Sequence, residues 1–320
     1  MIIKITKKTA GLRLDKFLPQ ADLIWGKNRP SRNQVQKIIK QNLIKINGWP
    51  ALAHYRLKPG DIINLQKKFI KKKPTADDKK AEAAPGHKVE IIDETEEWLI
   101  INKPAGLAVE ARSGYTLADW LKDQYPKIKT VGDDPKRPGL VHRLDKDVSG
   151  LMVIAKTPAS FNHLKKQFQD RTITKEYTAL VHGKIQKAAD KINFPIKRAE
   201  SGYKMAALPL TIKGQRSEIG RQAETEFRII TRLINYTLLK IKIKTGRTHQ
   251  IRVHLAAYDR PVVGDRLYGT ARSKKQNKKL NLDRIFLIAD HLGFTDLAGK
   301  QKDYRIDLTE ELKNILKQVK

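Results

Sequence analysis

The segment Gly139-Leu140-Val141-His142-Arg143-Leu144-Asp145-Lys146-Asp147-Val148-Ser149-Gly150 gathers titratable side chains in a loop bounded by glycines. Asp145 and Asp147 alternate there with Arg143 and Lys146. A carboxylate beside a guanidinium stays ionised and keeps one rotamer, which suits nucleophilic attack or proton transfer. The same composition also describes a solvated turn with a local ion pair. A second cluster runs Thr245-Gly246-Arg247-Thr248-His249-Gln250-Ile251-Arg252-Val253-His254-Leu255. Its two histidines are five residues apart and do not share a helical face as metal ligands would. The phosphate-loop, dinucleotide, H-E-x-x-H and G-x-S-x-G signatures are missing, so nucleotide hydrolysis, dinucleotide redox and serine hydrolysis lose their usual support. The chain has no Cys, which excludes disulfides, zinc ribbons, iron–sulfur clusters and thiol catalysis. No metal and no cofactor is expected.

The elements that must hold these clusters are legible from periodicity. Leu99-Ile100-Ile101 and Leu151-Met152-Val153-Ile154 read as strands flanking the first cluster. Thr157-Pro158 starts a helix, an N-cap followed by proline in the first turn, and Phe161, Leu164 and Phe168 continue it. Tyr177 to Val181 is another strand. Leu239 to Lys244 alternates strictly, with Lys240, Lys242 and Lys244 on one face. Thr245-Gly246 ends that strand, and a short helix carrying Ile251 and Leu255 follows. Near the N-terminus, Ser31-Arg32-Asn33-Gln34 is a capping-box pattern, and Val35, Ile38 and Ile39 follow at helical spacing. Asn47-Gly48 is a hairpin turn pair, and Gly60-Asp61 opens a strand over Ile62 to Leu65. Residues 66–88, with a lysine run and Pro85-Gly86, read as a basic linker. The expected fold class is α+β. A small helix-plus-strand domain occupies 1–65, and a mixed, mostly antiparallel-sheet domain occupies 89–320.

At 320 residues the chain is long enough for about two domains. Its net charge is +31, and the first 88 residues hold nearly half of it. Such an excess describes partners rather than fold, and nucleic acid is the leading polyanion, ahead of an anionic membrane surface. The lysines of the alternating strand are read as phosphate contacts or as a solvated face. Arg272-Ser273-Lys274-Lys275 and Lys278-Lys279 are read as a basic loop facing RNA, and His254 as structural or RNA-facing. The longest clean apolar run, Leu151–Ala155, is far too short to span a membrane. No membrane partner is expected. The opening residues Met1-Ile2-Ile3-Lys4 lack a signal-peptide stretch, and a cytoplasmic monomer is expected.

Several motifs in order resemble the RluA-type pseudouridine synthases over about residues 89–300. His142-Arg143-Leu144-Asp145 with Ser149-Gly150 resembles the family's signature loop. Asn102-Lys103-Pro104-Ala105-Gly106-Leu107, Lys175-Glu176-Tyr177, the Thr245–Leu255 block and Gly264-Asp265 with Tyr268-Gly269 resemble its other motifs. Arg13-Leu14-Asp15-Lys16-Phe17-Leu18, Ser31-Arg32, Ile46-Asn47-Gly48 and Leu57-Lys58-Pro59-Gly60-Asp61 resemble an S-four-type RNA-binding domain. The resemblance departs at Val148, where the family usually has Thr, and at Phe286-Leu287-Ile288-Ala289, which replaces L-H-A. It also departs in the long segment around Trp25-Gly26-Lys27. None of these removes a catalytic group.

The resemblance implies isomerisation of uridine to pseudouridine in structured RNA, with large-subunit ribosomal RNA favoured over tRNA. It implies Asp145 as the nucleophile, Arg252 as its cationic partner and Tyr177 stacked on the target uracil. Arg143 would fill the space left by a flipped base, Ile251 would wall the uracil pocket, and Asp147 would order the loop. His142, Arg247 and His249 join the substrate-binding set. Arg13, Lys16, Ser31, Arg32, Lys37 and Lys40 are the RNA-binding candidates of the small domain. The competing reading is a non-catalytic RNA-binding factor of ribosome assembly. A pure binder has no reason to keep Asp145, Tyr177 and Arg252 together. A glycosidase or nuclease would need a second carboxylate or a metal cluster.

Overall fold

A computed structural model describes residues 2–6, 9–21, 35–36, 38–39, 42–65, 88–111, 113–200, 202, 204–208, 211–212, 215–216 and 220–319. The chain divides into two compact units, Met1–Ala81 and Glu82–Lys320. The basic segment 66–87 and the candidates Ser31, Arg32, Lys37 and Lys40 lie outside the described residues.

The first unit holds strands β1 (Ile2–Lys4), β2 (Ile44–Ile46), β3 (Trp49–Pro50) and β4 (Ile62–Leu65), and helix α1 (Leu14–Phe17). The strands form an antiparallel sheet in the order β1-β4-β2-β3. Sequence patterning did not show β1, whose three residues are mostly exposed. Asn47 (φ 52°) and Gly48 (φ 87°) turn β2 into β3, the positive-φ pair that matches strand twist. Leu14, Leu18, Val35, Ile39, Ile44 and Ile63 fill the core. Arg13 forks onto the buried Asp15 at 3.1 Å through two nitrogens, and Gln36 Nε2 donates to the same carboxylate at 3.0 Å. Lys16 is exposed.

The second unit is built on a nine-stranded sheet. Its strands are β5 (Glu90–Glu94), β6 (Trp98–Lys103), β7 (Ser149–Ala155), β8 (Thr174–His182) and β9 (Ala189–Ile192). Two small hairpins intervene, β10 (Ile196–Arg198) with β11 (Met205–Ala207) and β12 (Thr211–Ile212) with β13 (Gln215–Arg216). β14 (Thr225–Arg232), β15 (Tyr236–Ile243), β16 (Leu287–Thr295) and β17 (Gln301–Arg305) complete it. The order is β5-β6-β7-β16-β8-β15-β14-β9, with β17 also on β16. Helices are α2 (Leu117–Gln124), α3 (Pro158–Asp170), α4 (Gln250–Ala257), α5 (Ala271–Lys279) and α6 (Glu310–Gln318). α3 begins as its sequence implies: the Thr157 hydroxyl accepts from Ser160 N–H, and Pro158 sits in the first turn. The mixed α+β architecture with a mostly antiparallel sheet agrees with the sequence reading. Among the described residues no helix is long and apolar enough to cross a membrane.

Two expectations are corrected. The run 272–279 is not a loop. It lies within α5, capped by the Thr270 hydroxyl, because residues without β-branching extend a helix readily. On the lysine face of β15, Lys240 and Lys244 are not free for phosphate. Lys240 is drawn down onto Asp290 (2.8 Å) and Glu176 (3.7 Å), and Lys244 pairs with Glu224 (3.0 Å) and Glu226 (3.4 Å). Cross-strand acids meet those lysines; only Lys242 stays exposed and without an ion pair among the described residues.

Two features frame the loop before β7. The first is the parallel pairing of β7 with β16, with Ala289 opposite Gly150, in a sheet otherwise antiparallel among the described residues. Gly150 has φ 126°, and a Cβ there would collide with the Ala289 carbonyl oxygen. The second is Lys103, fully buried at the end of β6. Its ammonium donates to the carbonyls of Pro104 (2.8 Å), Leu107 (2.8 Å) and Lys146 (3.2 Å), and so ties β6 to the loop.

Gly150→Ala is therefore expected to destabilise the unit by more than about 3 kcal/mol, since neither backbone can retreat. Gly114→Ala, also at positive φ but with open space around it, should cost only about 1 kcal/mol; urea titration compares them. Burial pushes the Lys103 ammonium down to about 7, with Arg284 adding to the effect and Asp145 and Asp147 opposing it. The unfolded chain keeps that proton up to about 10.5. Between these values the unfolded state binds more protons, so this residue's contribution to stability rises with pH from 7 towards 10.5. Lys103→Met should lose about 2–3 kcal/mol at neutral pH, because the Pro104 and Leu107 carbonyls lose the ammonium donor and Lys146 O keeps only Gly106 N–H. Its gap to wild type should widen at about pH 9, measured by denaturant unfolding at both pH values.

Candidate active site

The Asp145 loop is held by its backbone. Lys146 O accepts from Gly106 N–H (2.9 Å) as well as from Lys103, and Val148 N–H donates to Asp145 O (3.2 Å). Val148 is buried in the apolar core, so no hydroxyl is used at that position. Asp147 is exposed and accepts no hydrogen bond among the described residues, so the loop is not ordered by its carboxylate. Main-chain groups and the Lys103 ammonium do that work.

Arg252 comes from the first turn of α4. The preceding turn is clamped by Gln250. Its Oε1 accepts from Thr245 Oγ1 (2.8 Å) and Arg247 N–H (3.0 Å), and its Nε2 donates to Glu224 O (2.8 Å) and Thr225 Oγ1 (3.1 Å). His249 precedes the helix in a left-handed conformation (φ 56°, ψ 22°). The Arg252 side chain then bridges two carboxylates. Nη1 donates to Asp145 Oδ2 at 3.3 Å, while Nε and Nη2 fork onto Asp265 at 2.7 and 3.0 Å. Its guanidinium carbon also lies 5.3 Å from the centre of the Tyr268 ring. Burial works against the cation, but the hydrogen bonds and charge of Asp265, then the charge of Asp145, outweigh it and raise the Arg252 pKa. Burial pushes the Asp265 carboxyl up, yet Arg252 and the Tyr268 and Leu267 amides bring it below the usual range. Both groups are charged, and the Asp265 side chain is 0% exposed while that of Asp145 is 16% exposed. Asp265 is thus the buried anchor, and Asp145 is the carboxylate that a ligand can reach.

Asp145, Arg252, Tyr177, Arg143, Ile251, Arg247 and His249 line one cavity, closed by Val148, Ile243 and Leu287. Tyr177 is positioned by register, opposite Ala289 on β16 and Ile241 on β15. Burial, then the charges of Asp145 and Asp290, raise its phenol pKa, and the hydroxyl makes no hydrogen bond among the described residues. Arg143 is exposed at the rim, where Nη1 donates to Glu110 Oε1 at 2.6 Å. Burial lowers the His249 pKa, and Nδ1 meets the Tyr268 hydroxyl at 2.9 Å. That hydroxyl also accepts from Met205 N–H at 2.8 Å.

One expected substrate contact lies elsewhere. The His142 ring stacks on Phe168 at 4.6 Å and accepts from Val153 N–H at 3.0 Å, and it is not part of the Asp145 cavity. Burial keeps it neutral. Fully buried, His254 is structural: its ring nitrogens meet Thr225 Oγ1 and Phe194 O, each at 2.9 Å. Sequence reasoning did not single out Asp265, Tyr268, Gln250 or Lys103 as site residues. The signal for the first two was their fixed spacing, Gly264-Asp265 with Tyr268-Gly269. The physical reason is a carboxylate that accepts the amides two and three residues after it.

Residues 97–257 match the model of the RNA pseudouridylate synthase family, and residues 12–63 match the S4 domain. A protein of Aquifex aeolicus named an uncharacterized RNA pseudouridine synthase is 37% identical, over 95% of this chain and 92% of its own. Ribosomal large subunit pseudouridine synthase D of Zymomonas mobilis is 32% identical, over 98% of this chain and 96% of its own. The C enzyme of Vibrio vulnificus is 29% identical, over 100% and 96%. Human RNA pseudouridylate synthase domain containing 1 shares the fold, with a TM-score of 0.58 at 24% identity over 72% of this chain and 90% of that one. With its cavity built around Asp145, Tyr177 and Arg252 inside the matched span, the chain belongs to the RNA pseudouridylate synthase family.

Proposed function

We propose that this protein converts uridine to pseudouridine in structured RNA, with large-subunit ribosomal RNA as substrate and Asp145 as the nucleophile. The observation that carries the reading is the buried Arg252, shared between an inaccessible Asp265 and a reachable Asp145 beside Tyr177. Asp145 Oδ1 accepts no hydrogen bond among the described residues, so one carboxylate oxygen is free for a sugar. The bond between uracil and ribose breaks, the base turns, and a carbon–carbon bond closes at the same sugar carbon. Nothing is oxidised or reduced overall, so a carboxylate and proton transfers balance the reaction. Asp145 either attacks the oxocarbenium-like carbon or first takes a sugar proton, and both routes start from its ionised form. Arg252 holds the carboxylate in place through its Nη1 hydrogen bond when substrate excludes water. Tyr177 stacks on the uracil and Ile251 walls the pocket. Arg143 leaves Glu110 and fills the space of the flipped base, because the target uridine must leave its stack to reach Asp145.

Large-subunit RNA is favoured by the names of the relatives and by the S4 domain, with residues 1–65 as an RNA anchor and 89–320 as the catalytic part. The protein acts as a cytoplasmic monomer in this reading. A non-catalytic binder would share the charge but would not need a second buried carboxylate to brace Arg252.

Asp145→Asn keeps shape and removes charge. It should abolish pseudouridine formation in transcribed large-subunit RNA while RNA binding is kept; activity within tenfold of wild type would remove Asp145 from its role. Arg252→Lys keeps the charge but cannot fork onto Asp265 while reaching Asp145. It should lower kcat about a hundredfold or more, the cost of about 1 Å of misplacement. Arg247→Lys should act mainly on KM. Deleting residues 1–88 should weaken RNA binding and flatten its salt dependence, read from binding isotherms across a salt series; an unchanged slope would assign the small domain another task.

A further inference from the structure

A second cavity of about 390 Å³ adjoins the one around Asp145, and the two share Arg143, Tyr177, Ile243, Gly246 and Arg247. Its outer wall carries Arg171, just past the end of α3, and Lys175, early in β8. These cations crowd one another. Burial lowers the Lys175 pKa to about 8 and Arg171 adds to the effect. Burial lowers that of Arg247 too, with Arg221 and Arg171 adding. Among the described residues no carboxylate pairs with Arg171, Lys175 or Arg247. Their neighbours differ: Arg137 and Arg143 share Glu110, and Lys244 has Glu224 and Glu226. Arg171 also takes a left-handed backbone (φ 61°, ψ 30°), a position that favours glycine. Three cations thus sit close together without a paired carboxylate, and an anion relieves that repulsion.

We propose that Arg171, Lys175 and Arg247 form an anion subsite that takes a backbone phosphodiester flanking the nucleotide held over Asp145. Naming RNA as the source of that phosphate rests on the function proposed above. A phosphate fits better than a second flipped base. The Phe168 ring at this cavity is already stacked on His142, and the Lys175 ammonium lies 5.4 Å over it. Charge is what the wall offers. The shared lining with Tyr177 and Arg143 places the phosphate next to the reacting nucleotide, so the subsite orients the strand rather than merely attracting it.

The test compares wild type, Arg171→Gln/Lys175→Gln, the charge-keeping Arg171→Lys/Lys175→Arg, and Lys127→Gln/Lys129→Gln. The last pair is exposed and outside both cavities. Binding to transcribed large-subunit RNA is measured across a salt series, alongside KM and kcat. The glutamine pair should raise KM about tenfold at about 0.15 M salt and lower the log–log salt slope by about 1, with kcat within about twofold. The charge-keeping pair should restore the slope. Arg171→Gln alone, at an exposed position, should show a smaller change of the same sign and serves if the double variant does not fold. An unchanged slope, or an equal change in the Lys127/Lys129 variant, overturns the subsite. If the wild type forms no pseudouridine, the functional reading fails separately, because the slope is still read from binding.

Discussion

One guanidinium organises the catalytic unit. Arg252 spends two of its nitrogens on Asp265 and one on Asp145, and it is almost wholly buried while doing so. A buried ion pair is a poor source of stability, and breaking one by removing a single partner costs about 3–5 kcal/mol. What the arrangement supplies is position. Asp265 is fixed by two main-chain amides, Arg252 is fixed by Asp265, and Asp145 meets a cation that cannot swing away. The carboxylate that faces the cavity therefore inherits its geometry from one that never sees solvent.

The sheet supports this from the other side. The Asp145 loop runs from Gly139 into β7, and β7 lies against β16 at Gly150, where a side chain cannot be accommodated. Lys103 closes the loop from beneath through three carbonyls. An ammonium in that place is costly to bury, and the cost is offset by the hydrogen bonds it donates to those carbonyls. Rigid elements at both ends leave little freedom to the short segment between them.

Much of this was legible in the residues. Alternation in Leu239–Lys244 and the Thr157-Pro158 start announced β15 and α3 because local rules governed both. The Asp145–Arg252 pair was implied by the resemblance of the two motifs to the family, and the two side chains meet at 3.3 Å. What escaped depended on partners distant in sequence. Lys240 read as a phosphate contact or a solvated lysine until Asp290 came beside it, 50 residues on. The basic run 272–279 looked like a loop because its charges hid a run of good helix formers. His142 sits next to Arg143 in sequence, yet its ring turns toward Val153 and Phe168. Asp265 is 13 residues from Arg252, across a turn whose geometry no periodicity reveals.

The parallel pairing of β7 with β16 also sets an order of events during synthesis. β6 and β7 can pair as soon as both have left the ribosome, but the partner of Gly150 is residue 289. Closing so long a loop carries an entropic cost that early contacts cannot recover. Until β16 arrives, the edge of β7 is an open row of backbone donors and acceptors, and the Asp145 loop has no floor on that side. The nascent chain, already strongly basic, therefore emerges with its first unit and nearly half of its net charge long before it has a finished reaction centre.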